Sequence, residues 1–390
     1  MHELTQLITL YETSQSAGQA AVLATVVNTS GSTYRRPGAR LLLAPNGDTA
    51  GMVSGGCLEQ DVLERAKQVL ASDEPLLVTY DGTSADDLVW GLGLGCNGVV
   101  QVLIERIESQ QVPHLTFIAD CLRRRRVGVL ATVFSVTEQS PVPLGARLML
   151  TADGTLQTDI TEPQSVQAVA EDARNVLLTG QGKHASYPMT TGNIEVFLEL
   201  IQPPTPLVIF GAGPDAFPLV RLAKTLGWDV TVVDHRPAFA KAKRFPVADR
   251  VILSEPGAIP SAVALDGQTV AVVMTHHYLH DRTLLGVLLA ASVRYVGVLG
   301  PKARTVRLLD ELRATGVVPS PEVLHRLYGP VGLDIGAETP EQVALAIVAE
   351  IQAVLANRTG GLLRERKGPI HETWPWSLAS ALEQPATPFP

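Results

Sequence analysis

A short glycine-rich stretch holds the residues with the clearest capacity for chemistry. Ser54, Gly55, Gly56 and Cys57 stand directly before a segment with the pattern of an amphipathic helix. Adjacent glycines let the backbone approach a ligand closely, and amide N–H groups at the start of a helix carry partial positive charge. Such an environment favours the thiolate, which is the nucleophilic and metal-binding form of cysteine. The stretch therefore predicts a reactive or metal-binding Cys57, and a buried cysteine with a purely structural role is the alternative.

Two further loops carry groups that suit an anion. Residues 91–98 include Gly95 and Cys96, and their glycine spacing predicts a nest of backbone N–H groups. Arg35 and Arg36 follow Tyr34, and their forked donors suit a phosphate or a carboxylate. The alternative for the two arginines is a pair of solvated loop charges. Thiols, amides and arginines together indicate an anionic ligand that contains a metal or sulfur.

The elements that position these loops occur twice. The sequence VLATV at residues 22–26 returns at residues 129–133, and GARL at residues 38–41 returns at residues 145–148. Both pairs share an offset of 107 positions. We therefore predict an N-terminal domain, residues 1–202, built from two copies of one α/β unit that span about 1–108 and 112–202 and pack together.

The repeat separates scaffold from chemistry. Strands and turns recur in both copies, whereas the SGGC of residues 54–57 is replaced by TEPQ at residues 161–164. Arg35, Arg36 and the loop around Cys96 have no counterparts in the second copy either. Residues found in only one copy need a reason other than the shared fold, which favours a functional role for Cys57 and Cys96.

A second domain follows a stiff proline-bearing linker at residues 203–206. A buried strand runs into Gly211, Ala212 and Gly213, a helix follows, and the next strand ends in Asp234. This is the dinucleotide fingerprint, with glycines for close approach to a diphosphate and an acid placed for ribose hydroxyls. Alternating strands and helices predict a Rossmann-like doubly wound parallel sheet over residues 203–356, and we expect a loosely ordered tail at 357–390.

Cationic and imidazole groups follow later strands of this domain. His276, His277 and His280 come after one strand, with an acid beside them, and Lys302 follows the next. Ligands of α/β folds bind at the carboxyl ends of strands, so His276 and Lys302 are predicted to contact a ligand there. A metal site at the histidines is the alternative.

Composition excludes several classes of protein. A formal net charge of −8 argues against a nucleic-acid binder. The sequence contains neither a long apolar run typical of a membrane helix nor the pattern of a signal peptide, so we expect a cytoplasmic protein without membrane contact. Three cysteines at irregular spacing argue against a disulfide scaffold.

These motifs together resemble those of the xanthine dehydrogenase accessory factor family, of the XdhC/CoxI type. The resemblance rests on GSTYRRPGA at residues 31–39, SGGCLE at 54–59, the Gly95–Cys96 loop, the Gly211 fingerprint and GPVGLDIG at 329–336. It implies a factor, more a chaperone than an enzyme, that binds molybdenum cofactor (molybdopterin) and shields it. It also implies that a cysteine desulfurase adds the sulfido ligand and that a xanthine dehydrogenase-type molybdenum hydroxylase receives the cofactor. Members are often homodimers.

Two departures and two rival functions accompany the resemblance. Asn97 stands where the family usually has glycine, and Pro301 where it tends to have serine. Our working assignment places Cys57 and Cys96 at the molybdenum, with the arginines and the Gly211 loop on anionic parts. The rivals are an NAD(P)-dependent oxidoreductase that uses Asp234 and His276 or His277, and a redox or nucleotide-sensing regulator. The sequence leaves open whether the cargo carries a cytosine dinucleotide.

Overall fold

The computed structural model describes residues 2–82, 98–108, 112–137 and 140–367. The described residues form two compact units, an N-terminal unit from Glu3 to Pro203 and a C-terminal unit that begins at Pro204. No helix in these described ranges is long and apolar enough to cross a membrane. Cys96, Gly95 and most of the predicted tail lie outside the described residues.

The first copy of the repeat is a helix followed by a five-stranded antiparallel sheet with a second helix inserted. Its elements are α1 (His2–Ser16), β1 (Ala21–Gly31), β2 (Arg40–Leu43), β3 (Thr49–Gly51), α2 (Glu59–Ser72), β4 (Leu76–Asp81) and β5 (Gly98–Ile107). The strand order is β3-β2-β1-β5-β4. The long central strand β1 therefore pairs with β2 on one side and with β5 on the other.

The second copy repeats this architecture element for element. Its elements are α3 (Pro113–Arg123), β6 (Gly128–Val136), β7 (Arg147–Thr151), β8 (Leu156–Thr158), α4 (Pro163–Thr179), β9 (Lys183–Pro188) and β10 (Asn193–Ile201). The order β8-β7-β6-β10-β9 matches that of the first sheet. Even the register is kept, since Val22 pairs with Leu43 and Val129 pairs with Leu150. The predicted duplication is confirmed.

Alternation along the strands divides each sheet into an outer and an inner face. In β1, Val22 and Ala24 pack under α2, and in β6 the corresponding Val129 packs under α4. The intervening residues, such as Leu23 and Leu130, share one core with α1 and α3. The two copies are thus joined through the inner faces of their sheets and the first helix of each copy.

Two reciprocal ion pairs also join the copies. Arg40 of the first copy pairs with Glu199 of the second, with Nη1 to Oε1 at 2.9 Å, and Arg147 of the second pairs with Glu105 of the first. Each arginine side chain is only 4% exposed. Gly38 has φ of 94°, a conformation that favours glycine, and a Cβ there would lie 2.7 Å from Glu199 Oε1, so the carboxylate would have to shift. This contact explains why the GARL sequence occurs in both copies.

The C-terminal unit is a parallel α/β domain. Its elements are β11 (Pro206–Phe210), α5 (Ala216–Thr225), β12 (Asp229–Asp234), β13 (Arg250–Leu253), α6 (Ile259–Ala262), β14 (Val270–Val273), α7 (Tyr278–Ala290), β15 (Tyr295–Val298), α8 (Lys302–Ala314), α9 (Pro321–Leu324), β16 (Leu327–Tyr328) and α10 (Pro340–Leu355). The order β13-β12-β11-β14-β15-β16 is that of the doubly wound dinucleotide fold. The predicted Rossmann-like fold is confirmed.

The order of strands reverses between β11 and β14, which lie side by side at the centre of this sheet. The chain leaves their carboxyl ends in two loops, residues 211–215 and 274–277. On one face of the sheet, α5 packs against α10. On the other face, α7 and α8 cover a core that includes Phe210, Val273 and Leu285. Ligands of such folds bind where the order reverses, so the two loops mark the edge of the sheet at which a ligand would bind.

Candidate functional site

We define the cysteine loop as residues 54–58. The helix that follows it, α2, starts later than its counterpart in the second copy, α4. Helix α4 begins at Pro163, the position equivalent to Gly56, whereas α2 begins only at Glu59. Both helices end at equivalent positions, Ser72 and Thr179. Three residues that are helical in the second copy are therefore unwound in the first, and Cys57 is the middle one.

Local sequence accounts for this difference. Gly56 adopts φ of 110°, a conformation that other residues rarely take and that is incompatible with a helix. Pro163 has a fixed φ suited to the first position of a helix, and it stands there in the second copy. The glycine pair thus replaces a first helical turn by a loop that exposes Cys57.

Glu59 holds the cysteine loop in place. Its carboxylate accepts hydrogen bonds from the Ser54 N–H at 2.7 Å and the Gly56 N–H at 3.0 Å, and also from the Ser54 hydroxyl. The Ser54 hydroxyl oxygen in turn accepts from the N–H groups of Gly56 and Leu58 at 3.1 and 3.0 Å. Burial alone would raise the pKa of Glu59, but the bonds from Ser54 and Gly56 outweigh it and lower that pKa. Several hydrogen-bond donors of this loop are therefore bound by Glu59, a residue of the protein itself.

Cys57 lies in a small pocket that is open to solvent. Its Sγ is 3.6 Å from the Ser54 hydroxyl oxygen. The pocket is lined by Thr33, Tyr34, Arg35, Val53, Ser54, Cys57, Leu58, Tyr80, Gly98 and Val100. A Cβ on Gly55 would lie 3.4 Å from the Tyr34 ring, at ordinary van der Waals distance, so the loop packs beside this aromatic side chain. The structure thus brings Arg35, Ser54 and Cys57 together.

Arg35 is engaged by a carboxylate that the sequence did not point to. Its Nη1 donates to Oε1 of Glu3, in the first turn of α1, at 3.2 Å, and Nη2 donates to the other oxygen. The arginine side chain is 24% exposed and that of Glu3 is 43% exposed. Arg36 follows in the same loop and is half-buried. The guanidinium that the sequence assigned to an anion is therefore paired with an acidic side chain of the protein itself.

Tyr80 is a pocket residue that sequence reasoning missed. Burial raises its pKa, as does the hydrogen bond from its hydroxyl to Asp61 Oδ2 at 2.6 Å. The equivalent Tyr187 makes the same kind of bond to Asp172 in the second copy. Since both copies keep the tyrosine, the repeat itself indicated a scaffold role that positions the pocket wall against α2.

In the C-terminal unit the fingerprint loop and Asp234, the last residue of β12, are hydrogen-bonded to each other. Asp234 accepts from the Ala212 N–H at 2.7 Å and from the backbone and guanidinium of Arg236 at 2.8 to 3.0 Å. Burial would raise the pKa of Asp234, but these bonds lower it to about 2. Gly211 has φ of 120°, and a Cβ there would lie 2.4 Å from the Met274 carbonyl oxygen. Gly213 follows in the same loop. Asp234, which the sequence assigned to ribose hydroxyls, is buried at 5% exposure.

The predicted histidines occupy the same edge of the sheet. His276 Nε2 lies 2.6 Å from Asp215 Oδ2. His280 packs against the rings of His277 and His235, with ring centroids 4.0 and 4.2 Å apart. Burial lowers the pKa of His280, and the charges of the two neighbouring histidines lower it further. Across the described residues, no group of three His, Cys, Asp or Glu side chains could hold a metal ion. Lys302 begins α8 and is exposed.

The predicted site residues thus form two groups, one within each unit. The N-terminal group combines an exposed thiol, a guanidinium and a glycine loop in one pocket. The C-terminal group surrounds the reversal of strand order, and its acidic residues are bonded to donors of the protein itself.

Comparisons with protein families divide the chain in the same way. Residues 207–351 match the family model described as the XdhC Rossmann domain. Residues 14–81 and 121–188 each match the model described as the XdhC and CoxI family. These two matches are offset by 107 positions, the offset of the repeat.

Similar proteins cover most of the chain. It is 37% identical over 333 residues to a probable xanthine dehydrogenase subunit of Bacillus subtilis, with 85% of this chain and 92% of that protein covered. It is 23% identical over 339 residues to the molybdenum cofactor insertion chaperone PaoD of Escherichia coli, with 87% and 84% covered. A crystal structure of a xanthine dehydrogenase from Bacillus halodurans matches with a TM-score of 0.74 at 31% identity, over 90% of this chain and 96% of that one.

Proposed function

Because this chain belongs to the XdhC and CoxI family, we propose that it is a molybdenum cofactor maturation chaperone. In this proposal it binds molybdopterin-type cofactor as cargo, supports its sulfuration by a cysteine desulfurase, and delivers it to a xanthine dehydrogenase-type hydroxylase. The names of the relatives in Bacillus subtilis and Escherichia coli support the cargo and the receiving enzyme. A cytoplasmic homodimer is the form that we expect to carry this out.

The observation that carries the proposal is the pocket around Cys57. It places an exposed thiol, a guanidinium and an aromatic ring around one opening, in the copy of the repeat that has an unwound helix start. Thiolates are preferred ligands of soft metal centres, and forked guanidinium donors suit phosphate. Cys57 would therefore face the metal end of the cargo and Arg35 an anionic part. Cys96 stays a prediction as a second thiol.

The described contacts of the C-terminal unit give less support to the NAD(P)-dependent oxidoreductase. That function needs the acid at the end of β12 to bind ribose hydroxyls. Asp234 instead accepts hydrogen bonds from Ala212 and Arg236 and is buried. The same pocket around Cys57 would have no task in a dehydrogenase that works through the C-terminal unit alone.

The proposal is tested by purifying the full-length protein without oxygen from a cofactor-producing host. Molybdenum and released pterin are measured in the wild type, in Cys57→Ala and in Cys121→Ala. Cys121 is buried in the core shared by the two copies, so its variant is the matched control for loss of a thiol. We expect near-stoichiometric cofactor in the wild type and the control and at least about tenfold less in Cys57→Ala.

The two parts of the proposal fail in different ways. A wild-type protein that holds no cofactor, even after anaerobic loading, would contradict the chaperone function itself. Full cofactor in Cys57→Ala would leave the chaperone function standing and remove Cys57 from the metal end.

A further inference from the structure

The glycine loop of the C-terminal unit, residues 211–215, carries a carboxylate where a dinucleotide would place its diphosphate. In dinucleotide-binding folds this loop and the first turn of the next helix present backbone N–H groups to the two phosphates. Here the last loop residue before α5, a helix of ten residues, is Asp215. Pro214, next to it, has no N–H to donate. The loop therefore combines the fingerprint glycines with one donor fewer and one negative charge more.

Asp215 does not act as an ordinary helix cap. A capping aspartate accepts a hydrogen bond from an N–H in the first turn of its helix. The side chain of Asp215 makes no such bond to α5. Its Oδ2 is instead 2.6 Å from His276 Nε2, and its Oδ1 is buried without a hydrogen-bond partner in the described part of the chain. The side chain is 19% exposed, so helix capping does not explain a carboxylate held at this position.

His276 ties this carboxylate to the neighbouring loop. It follows β14, which lies beside β11 at the reversal of strand order. Its φ of 60° is rare for a residue other than glycine, and such conformations persist where surrounding contacts hold them. The absence of a side chain at Gly211 lets the two loops come close, since a Cβ there would collide with the Met274 carbonyl. The Asp215–His276 contact thus spans the crevice in which these folds bind phosphate.

The acid that would bind the ribose of a dinucleotide, Asp234, is also bonded within the protein. The carboxylate of Asp234 binds the Ala212 N–H, a donor of the glycine loop, and the guanidinium of Arg236 lies on the same carboxylate. One internal carboxylate therefore stands at the diphosphate position, and another, bonded to the loop itself, at the ribose position.

We propose that Asp215, held by His276, is a specificity-determining residue that excludes dinucleotides from the C-terminal unit. A diphosphate entering the loop would meet the Asp215 carboxylate at close range in a partly buried site, where like charges repel strongly. Ligands admitted at this edge of the sheet present a neutral or hydrogen-donating group to Asp215 instead of a phosphate. This inference concerns the C-terminal unit and stands whether or not the Cys57 pocket carries a molybdenum cofactor.

The test is a calorimetric titration of the full-length protein with NADH. Asp215→Asn keeps the size of the side chain and removes its charge, Asp215→Glu keeps the charge, and Asp310→Asn removes an exposed acid of α8 as the control. We expect no measurable binding to the wild type, Asp215→Glu or Asp310→Asn. Asp215→Asn is expected to bind NADH measurably, with a dissociation constant at least about tenfold below the detection limit that the wild type fails to reach.

A second variant separates the charge from its histidine partner. His276→Asn removes the imidazole, and asparagine tolerates the positive φ of that position. Because the carboxylate remains, His276→Asn is expected to bind NADH no better than the wild type. Tight binding of NADH to the wild type, equal gains in Asp215→Asn and Asp310→Asn, or no gain in folded Asp215→Asn would each overturn the proposal.

Discussion

The two copies within the N-terminal unit have one architecture and different chemistry. Their sheets agree in strand order and register, and α2 and α4 end at equivalent residues. They differ where those helices begin, because a glycine pair in one copy replaces a glutamate and a proline in the other. The copy that holds the Cys57 pocket therefore differs from the other by three unwound residues at its helix start, over a sheet of the same strand order.

What the copies share is the set of contacts that holds them to each other. Arg40 and Arg147 occupy equivalent positions, and each reaches a glutamate of the opposite copy. Two such pairs related by the repeat form a closed arrangement in which a change on one side leaves a buried charge on the other. This explains why these positions are alike in the two copies although their surface loops have diverged.

The largest expected effect comes from breaking one of these shared contacts. Arg40→Met leaves the carboxylate of Glu199, 17% exposed, without its cation, and Arg147→Met does the same to Glu105, 12% exposed. Breaking a buried pair on one side costs about 3–5 kcal/mol. We expect both variants to lose protection from hydrogen–deuterium exchange in β1 and β6 by that amount, measured in the full-length protein.

The control is an ion pair at the surface. Arg123 pairs with Glu12, but the two side chains are 59% and 38% exposed, so Arg123→Met should cost less than about 1 kcal/mol. A large loss from Arg40→Met with almost none from Arg147→Met would break the equivalence of the copies at their junction.

The next effect concerns the acid that holds each helix start. Glu59 accepts from Ser54 and Gly56, whereas Glu162, in a different position of the second copy, accepts from Ser165 and Thr190. Hydrogen bonds to a charged acceptor contribute more than those to a neutral one, so Glu59→Gln should lower the free energy of unfolding by about 1–2 kcal/mol at pH 7.

This stabilisation should depend on pH in a defined direction. The pKa of Glu59 in the folded protein is lowered, so its contribution is complete above the ordinary glutamate value near 4.5 and is lost as the pH falls through the lower folded value. The difference between wild type and Glu59→Gln in urea unfolding should therefore shrink below about pH 4.5. Glu162→Gln should show the same direction, because the pKa of Glu162 is also lowered, first by Ser165. A difference for Glu59→Gln that grew in acid would contradict the role given to its carboxylate.

Much of the architecture could be predicted because it depends on local patterns. The offset of 107 residues identified the repeat, and glycine spacing after a buried strand identified the Rossmann-like fold. The pocket was predictable in part, since Arg35, Ser54 and Cys57 stood out as residues of one copy only and do line one opening.

The contacts that the sequence could not predict join residues far apart in the chain. Glu3 reaches Arg35 from the first helix, His276 reaches Asp215 across 61 positions, and Arg40 reaches Glu199 across 159. No periodicity or spacing encodes such a pairing, because it depends on which side chains the folded sheet brings together. In each case a carboxylate of the protein binds a side chain from a distant part of the chain. The sequence had assigned Arg35 and His276 to a ligand and had given Arg40 no partner.

The smallest predicted effect tests the difference between the copies directly. Replacing Gly55→Glu together with Gly56→Pro gives the first copy the N-cap and the first helical residue of α4. Proline cannot adopt the φ of 110° found at Gly56 and favours the first helical position, so α2 should begin near residue 56. The N–H groups of Gln60 and Asp61 would then gain carbonyl partners one turn earlier in the chain.

A gained hydrogen bond is worth about 1 kcal/mol, so exchange of these two amides should slow about fivefold. The same protein should retain no more cofactor than Cys57→Ala, because Cys57 would move from the loop into a helical turn, while β1 and β6 keep their protection from exchange. A helix that extends without loss of cofactor would show that the unwound start is not what qualifies the first copy for its task. Loss of cofactor with unchanged exchange at Gln60 and Asp61 would point to the glycines themselves, and not to the position of the helix start, as the feature that separates the two copies.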